Sequence, residues 1–320
     1  MSLLKLLGTR RAKIVFNVGS GVIAVSVGIL TARHFVSSGW PIHHADVLGV
    51  LAAGGLFLLA FGFKAWGWHR LFRHDQRPSA LGLAAAGGAA TVTGLALPGR
   101  ADEVVRISVV RRFPGKRVGI GSICLSLFLL GLIDNAALTP IAAVSAGVAA
   151  PSGWVQAGLI VVAVAGVCAG SIVFFMPKLV KHHWIARFKL CCWVAEHTTT
   201  PQEATRAWML VVVSWMLRVA AVFVLLDALS VRTSLPLALG FLCASASAAA
   251  LPIAPAGGVA QAGAGAALLV SAGIHASEAA AFAVAAQGLI VLAGAGVIVL
   301  TMTLHAARSR LPLPRFARAA

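Results

Sequence analysis

The run L-P-G-R-A-D-E-V-V-R-I-S-V-V-R-R-F-P-G-K-R, residues 97–117, decides the architecture. It lies between two apolar blocks, 80–97 and 119–147, and carries Arg100, Arg106, Arg111, Arg112, Lys116 and Arg117. Loops on the cytoplasmic side of a membrane protein are enriched in lysine and arginine. With the N-terminus cytoplasmic and two preceding crossings, a complete third crossing by 80–97 would put all six of these cations outside. If 80–97 instead dips in and returns, they fall inside. Pro98 and Gly99 supply the break, because proline cannot continue a helix and glycine permits a turn.

The rest of the chain agrees with a membrane setting. Of its 320 residues 59% are hydrophobic and only 11% charged, with a mean hydropathy of +0.93. A soluble domain is about a quarter charged, so a soluble enzyme, a disordered chain and a secreted disulfide scaffold are excluded. Blocks long enough to span a bilayer, about 17–25 residues, occur at 14–32, 47–65, 80–97, 119–147, 154–176, 207–229, 234–251, 256–273 and 279–303. Their continuous apolar character excludes a transmembrane β-barrel, whose strands alternate. The first block reads as an uncleaved helix rather than a signal peptide.

The formal net charge of +17 points to an anionic leaflet rather than to nucleic acid, because the cations sit in loops between apolar blocks. A second dip at 234–273, entered from outside, completes the sorting. Every lysine and arginine except Arg33, Arg232 and the intramembrane Arg218 then lies on the cytoplasmic side. Its turn is L-P-I-A-P-A-G-G, residues 251–258, with Pro252, Pro255, Gly257 and Gly258 as breakers. One dip opening inward and one outward is the sequence pattern of an inverted repeat with broken helices meeting near the midplane. The expected fold is therefore an all-α polytopic membrane protein, a helical bundle with two re-entrant hairpins in an inverted repeat. It forms a single integral membrane domain over 1–320: a first half of about 1–176, a cytoplasmic connector 177–206, and a second half of about 207–320. Both termini are expected in the cytoplasm.

Three groups of polar residues carry the functional expectations. A helix starting after Pro98 would hold Asp102 and Glu103 in its first turn, where the helix dipole favours anions. Arg106 is four residues from Asp102 and three from Glu103. These residues read equally as a salt-bridged helix start or as the charged floor of a cavity. Arg218 sits mid-way along block 207–229, where a charge costs a few kcal/mol and must face protein, water or substrate. It reads either as the partner of Asp134 or as a phosphate-binding fork, since guanidinium can donate two parallel hydrogen bonds. Asp134, with Asn135, Thr139 and Pro140, suggests a polar wall. His43, His44, His182 and His183 lack metal-site spacing. Cys124, Cys168, Cys191, Cys192 and Cys243 suggest neither a disulfide framework nor a zinc site. No catalytic residue, metal or cofactor is expected.

At these residues the chain resembles a known family. The run L-P-G-R-A-D-E-V-V-R (97–106) is similar to the P-x-x-x-G-E-x-x-R element of the lysylphosphatidylglycerol synthase transmembrane region, the flippase-like integral membrane proteins. The run L-P-I-A-P-A-G-G-V-A-Q-A-G (251–263), then 267–274 and the Glu278 helix, resembles the second element, P-G-G-x-G-x-x-E. S-W-M-L-R (214–218) fits the helix before it. Two departures stand out: Asp102 occupies a usual glycine, and Gln261 stands where the second element has glutamate. The resemblance implies a bundle of about eight helices with two re-entrant segments. It also implies movement of a polar lipid between leaflets, here without an aminoacyl-transfer domain.

The expectation drawn from both lines is a flippase or transporter-like protein, not an enzyme, in the bacterial cytoplasmic membrane. Its partner is a membrane phospholipid or polyprenyl-linked lipid, anionic or polyprenyl-phosphate-linked. Arg100, Asp102, Glu103, Arg106, Asp134, Arg218 and Gln261 are the expected lipid-binding residues. Pro98, Gly99, Pro252, Pro255, Gly257 and Gly258 are the expected hinges. The alternative is a non-transporting scaffold for an envelope-biosynthesis enzyme. Sequence does not fix the oligomeric state.

Overall fold

The computed structural model describes residues 33, 37, 42, 45–96, 101–113, 118–148, 153–179, 200–250 and 257–310. The expected hinge residues Pro98, Gly99, Pro252 and Pro255, the expected ligand Arg100, and the block 14–32 lie outside this set. Among the described residues the regular structure is helical. It comprises α1 (Val47–Arg70), α2 (Ala80–Ala96), α3 (Ala101–Arg112), α4 (Ile120–Val148), α5 (Trp154–Leu179), α6 (Pro201–Ala228), α7 (Leu235–Ala250), α8 (Gly257–Ser271) and α9 (Ala276–Arg310). Five of these, α1, α4, α5, α6 and α9, are long and apolar enough to cross a bilayer. Their outward faces are apolar: Leu48 is 77% exposed, Leu292 68% and Val161 66%. Such surfaces are covered in lipid, not in water.

The helix boundaries follow from local chemistry. Asp46 caps α1, its carboxylate accepting from the backbone N–H groups of Leu48 and Gly49 at 3.1 and 3.0 Å. Thr200 caps α6 and Pro201 occupies its first turn, where the missing N–H costs nothing. This start precedes the expected block 207–229 by six residues, because the first turn is polar and hydropathy does not register it.

Helices α1 and α6 form an antiparallel pair. At one end the Asp46 N–H donates to Ala228 O at 2.8 Å. At the middle, the Ser214 hydroxyl donates to Ala60 O at 2.8 Å. At the other end a Cβ on Gly67 would lie 3.1 Å from Ala207 O. Helices α4 and α5 pair likewise, with Gly166 against Thr139 and the Asn135 backbone. Small residues allow this approach, the usual way helices associate where lipid removes the hydrophobic drive. The described cations Arg70, Arg73, Arg77, Arg111, Arg112 and Arg206 gather at one end of the bundle. There the end of α1 meets the start of α4 through a Trp68 Nε1–H to Ser126 Oγ bond of 3.0 Å.

Two pairs of shorter helices complete the bundle. In the first, α2 and α3 are antiparallel: Gly82 meets Phe113 at one end and Gly94 faces Asp102 at the other. The Phe113 ring also packs on His305 of α9, centroid to centroid 5.4 Å, which puts the open ends of this pair at the cation-rich end. In the second, Gly240 meets Leu268, and Gly265 meets Phe241 and Ser245, so α7 and α8 are antiparallel too. Their open ends lie beside the α6 terminus, where the Thr233 hydroxyl donates to Asp227 at 3.3 Å. With 17, 16 and 15 residues, α2, α7 and α8 reach about 22–26 Å, less than the roughly 30 Å of a hydrocarbon core.

Candidate functional site

Helical spacing collects the site's residues before any tertiary contact does. Phe57, Phe61, Lys64 and Trp68 fall on one face of α1, and Trp215, Arg218 and Val222 on one face of α6. Asp134 and Leu138 share a face of α4, and Asp102 and Arg106 a face of α3. These faces converge on a cavity of about 480 Å³, lined also by α2, α7, α8 and α9. The tips of both short pairs reach it: Gly94 and Asp102 from the first, Ser245, Gly258 and Gln261 from the second.

The cavity wall is charged and nearly balanced. Lys64, Arg106 and Arg218 face Asp102, Glu103 and Asp134, three of each sign among the described lining residues. Lys64 Nζ pairs with Asp134 Oδ2 at 2.7 Å. The other Asp134 oxygen accepts from Trp215 Nε1–H at 2.9 Å. Arg106 pairs with Asp102 at 3.4 Å, one turn away on α3. Arg218 is held differently. Its guanidinium lies over the Phe61 ring at 5.6 Å and the Trp215 ring at 5.1 Å from the centroids. Among the described residues no carboxylate comes within ion-pairing distance of it. Ring faces satisfy part of a cation's demand, and among the described residues the guanidinium N–H groups have no hydrogen-bond acceptor. The Ser245 hydroxyl, on the second half of α7, is buried without a hydrogen-bond partner among the described residues.

The family described as the lysylphosphatidylglycerol synthase TM region matches residues 17–305. The chain belongs to this family. A comparison with curated proteins and one with solved structures found no match. The lysylphosphatidylglycerol synthase TM region family is one of membrane proteins in lipid-related processes, and described residues of both elements on which the resemblance rests, Asp102, Glu103 and Arg106 of the first and Gly258 and Gln261 of the second, line the cavity in this member.

The expected site residues of this family member gather as follows. Asp102, Glu103, Arg106, Asp134, Arg218, Gln261 and Gly258 all line the one cavity. Gly257 opens α8 beside it. Asp102 and Glu103 stand in the first turn of α3. One expectation is corrected: Asp134 takes Lys64, not Arg218, as its ion-pair partner. Lys64 was sorted with the cytoplasmic loop cations, whereas it belongs to the cavity wall. The end of an apolar block is a poor guide here, because α1 continues to Arg70 and keeps Lys64 within the helix. Trp215, Ser245 and Gln287 were also missed. The i, i+3 spacing of Trp215 and Arg218 was the available signal for the first. Ser245 and Gln287 give none in one dimension.

Proposed function

We propose that this protein moves a polar lipid between leaflets, with the headgroup passing through the cavity between the two short helix pairs. The observation that carries this reading is Arg218: a guanidinium with no hydrogen-bond acceptor among the described residues, facing a cavity amid apolar helices. A phosphate, anionic or polyprenyl-linked, matches it in charge and geometry. A volume of about 480 Å³ is within the range of small-molecule sites and takes a headgroup while the acyl chains stay in lipid. The antiparallel pairs α2–α3 and α7–α8 open toward opposite ends of the bundle and are too short to cross, which supports re-entrant hairpins in an inverted repeat. Sorting of the described cations to one end supports a cytoplasmic C-terminus and, with the positive-inside rule, residence in a bacterial cytoplasmic membrane. The role is transport rather than catalysis.

The experiment is transbilayer movement of a headgroup-labelled anionic phospholipid in reconstituted vesicles. The parent is expected to move it. Because Asp134 keeps Lys64 and Trp215, Arg218→Leu should remain within about 1–2 kcal/mol of parental stability and lose transport. Arg218→Lys should also be impaired, since an ammonium lacks the planar fork. Equal lipid-induced stabilisation of the parent and of Arg218→Leu would remove this arginine from the binding site. A parent that moves neither anionic nor polyprenyl-phosphate lipid overturns the transport reading.

A further inference from the structure

We infer that Asp134 is the resident counter-anion of the cavity, and that an entering phosphate displaces it from Lys64. The inference rests on the transport reading above and specifies how the site holds and releases its ligand.

The geometry separates the two partners of Asp134. Trp215 is a fixed partner: its indole donates to one carboxylate oxygen at 2.9 Å while its ring face supports Arg218 at 5.1 Å. Lys64 is a movable one. Its ammonium ends a flexible four-carbon stem with three rotatable donors, and it meets the other oxygen at 2.7 Å. Both groups line the cavity, and their side chains are partly exposed, at 22% and 25%. The pair is therefore reachable by a ligand that reaches Arg218.

Consider what a phosphate finds there. Arg218 offers donors that no described residue accepts from, but the cavity as a whole is neutral among its described charges. One arginine amid balanced charges holds a phosphate weakly. A second cation strengthens the site, and Lys64 supplies it by turning from Asp134 to the phosphate. Trp215 meanwhile keeps Asp134 in place, so the carboxylate remains as a competitor. When the headgroup leaves, Asp134 recaptures Lys64. A carrier needs this property: binding strong enough to load and weak enough to unload. The shared ligand chemistry is a phosphate group, whether borne by a lipid or free in solution.

The test uses the full chain in detergent, with dioctanoyl phosphatidic acid and inorganic phosphate as separate probes. Asp134→Asn keeps the oxygen that accepts from Trp215 and removes the competing charge. It should bind phosphatidic acid at least tenfold more tightly than the parent and, in vesicles, move lipid more slowly. Lys64→Met leaves Asp134 with no cation but Arg218, and should weaken binding at least tenfold. The double variant Lys64→Met with Asp134→Asn should return to within about threefold of the parent. If Asp134→Asn does not fold, the comparison of Lys64→Met with the double variant decides alone. Unchanged binding by Lys64→Met, or no recovery in the double variant, overturns the inference. Matching shifts with inorganic phosphate assign the site to the phosphate group itself; shifts with phosphatidic acid alone add the requirement for a lipid, and either supports the displacement. A parent that binds neither probe defeats the transport reading instead.

Discussion

Trp215 does two things with one side chain. Its edge holds Asp134 and its face holds Arg218. The two roles are separable by substitution. Trp215→Phe retains a ring under the guanidinium but removes the N–H. A hydrogen bond to a charged group is worth about 1.5–3 kcal/mol, and the loss here should be about 2 kcal/mol because Lys64 still satisfies Asp134. Trp215→Leu removes the ring as well and should lose a further increment of about 0.5–1 kcal/mol from the cation–π contact. Denaturation in detergent, comparing the three proteins, measures both steps. Equal stability of the Phe and Leu variants would show that the ring face contributes nothing to holding Arg218. The same residue shows what one-dimensional reading can and cannot reach. That Arg218 needs a partner was legible, because a charge amid apolar residues demands one. Which partner it has was not, because Phe61 lies on α1, and the Lys64–Asp134 pair joins α1 to α4 across 70 positions of sequence.

At the scale of elements, glycine separates helices that must touch from those that need not. A Cβ on Gly88 of α2 would overlap the Gly294 carbonyl of α9, which is backbone and cannot turn aside. Gly55, on α1, would meet nothing within 4 Å. Gly88→Ala should therefore destabilise by about 1–3 kcal/mol through overpacking. Gly55→Ala should be neutral or stabilise by up to about 1 kcal/mol by reducing unfolded-state freedom. Thermal melts of the two variants side by side give the sign of each. A second element-scale device is Glu203 in the first turn of α6, which forms ion pairs with Arg70 at 3.4 Å, Arg77 at 3.1 Å and Arg206 at 3.2 Å. It fastens the loop after α1 to α6 at the cation-rich end. Arg206 is 61% exposed and adds little. Glu203→Gln leaves Arg70 and Arg77 facing each other uncompensated and should cost about 1–2 kcal/mol, less in high salt because screening weakens the repulsion. A cost independent of ionic strength would assign Glu203 a packing role instead. The existence of these helices was plain from hydropathy. Their polar ends were not, since caps and staples such as Thr200 and Glu203 carry no apolar signal.

The whole molecule is organised by charge along one axis. Residues 98–117 decide whether α2 crosses or returns, and Arg70, Arg73, Arg77, Arg111, Arg112 and Arg206 lie at the same end of the bundle as the open ends of α2 and α3. A version with its five cysteines replaced, carrying Arg111→Cys, should react with an impermeant maleimide only in inverted vesicles. Arg232→Cys, beyond the end of α6, should react in intact cells. Labelling of Arg111→Cys from outside would mean that α2 crosses completely. The bundle's asymmetry was legible because it is a property of composition by segment. The cavity at its centre was not, since eight helices contribute to its wall and no local spacing encodes their meeting.

The bare backbone contact between Gly88 and Gly294 has a mechanical side. With no side chains between them, α2 and α9 fit as a tongue in a slot, and neither can be pushed sideways without carrying the other. Helix α9 also lies against α8 of the opposite pair, and its Phe282 ring stands edge-on to Phe241 of α7 at 5.2 Å. A rod of 35 residues thus ties the two short helix pairs together. A displacement of α2 at Gly88 is therefore passed to α7 and α8 through packed protein alone.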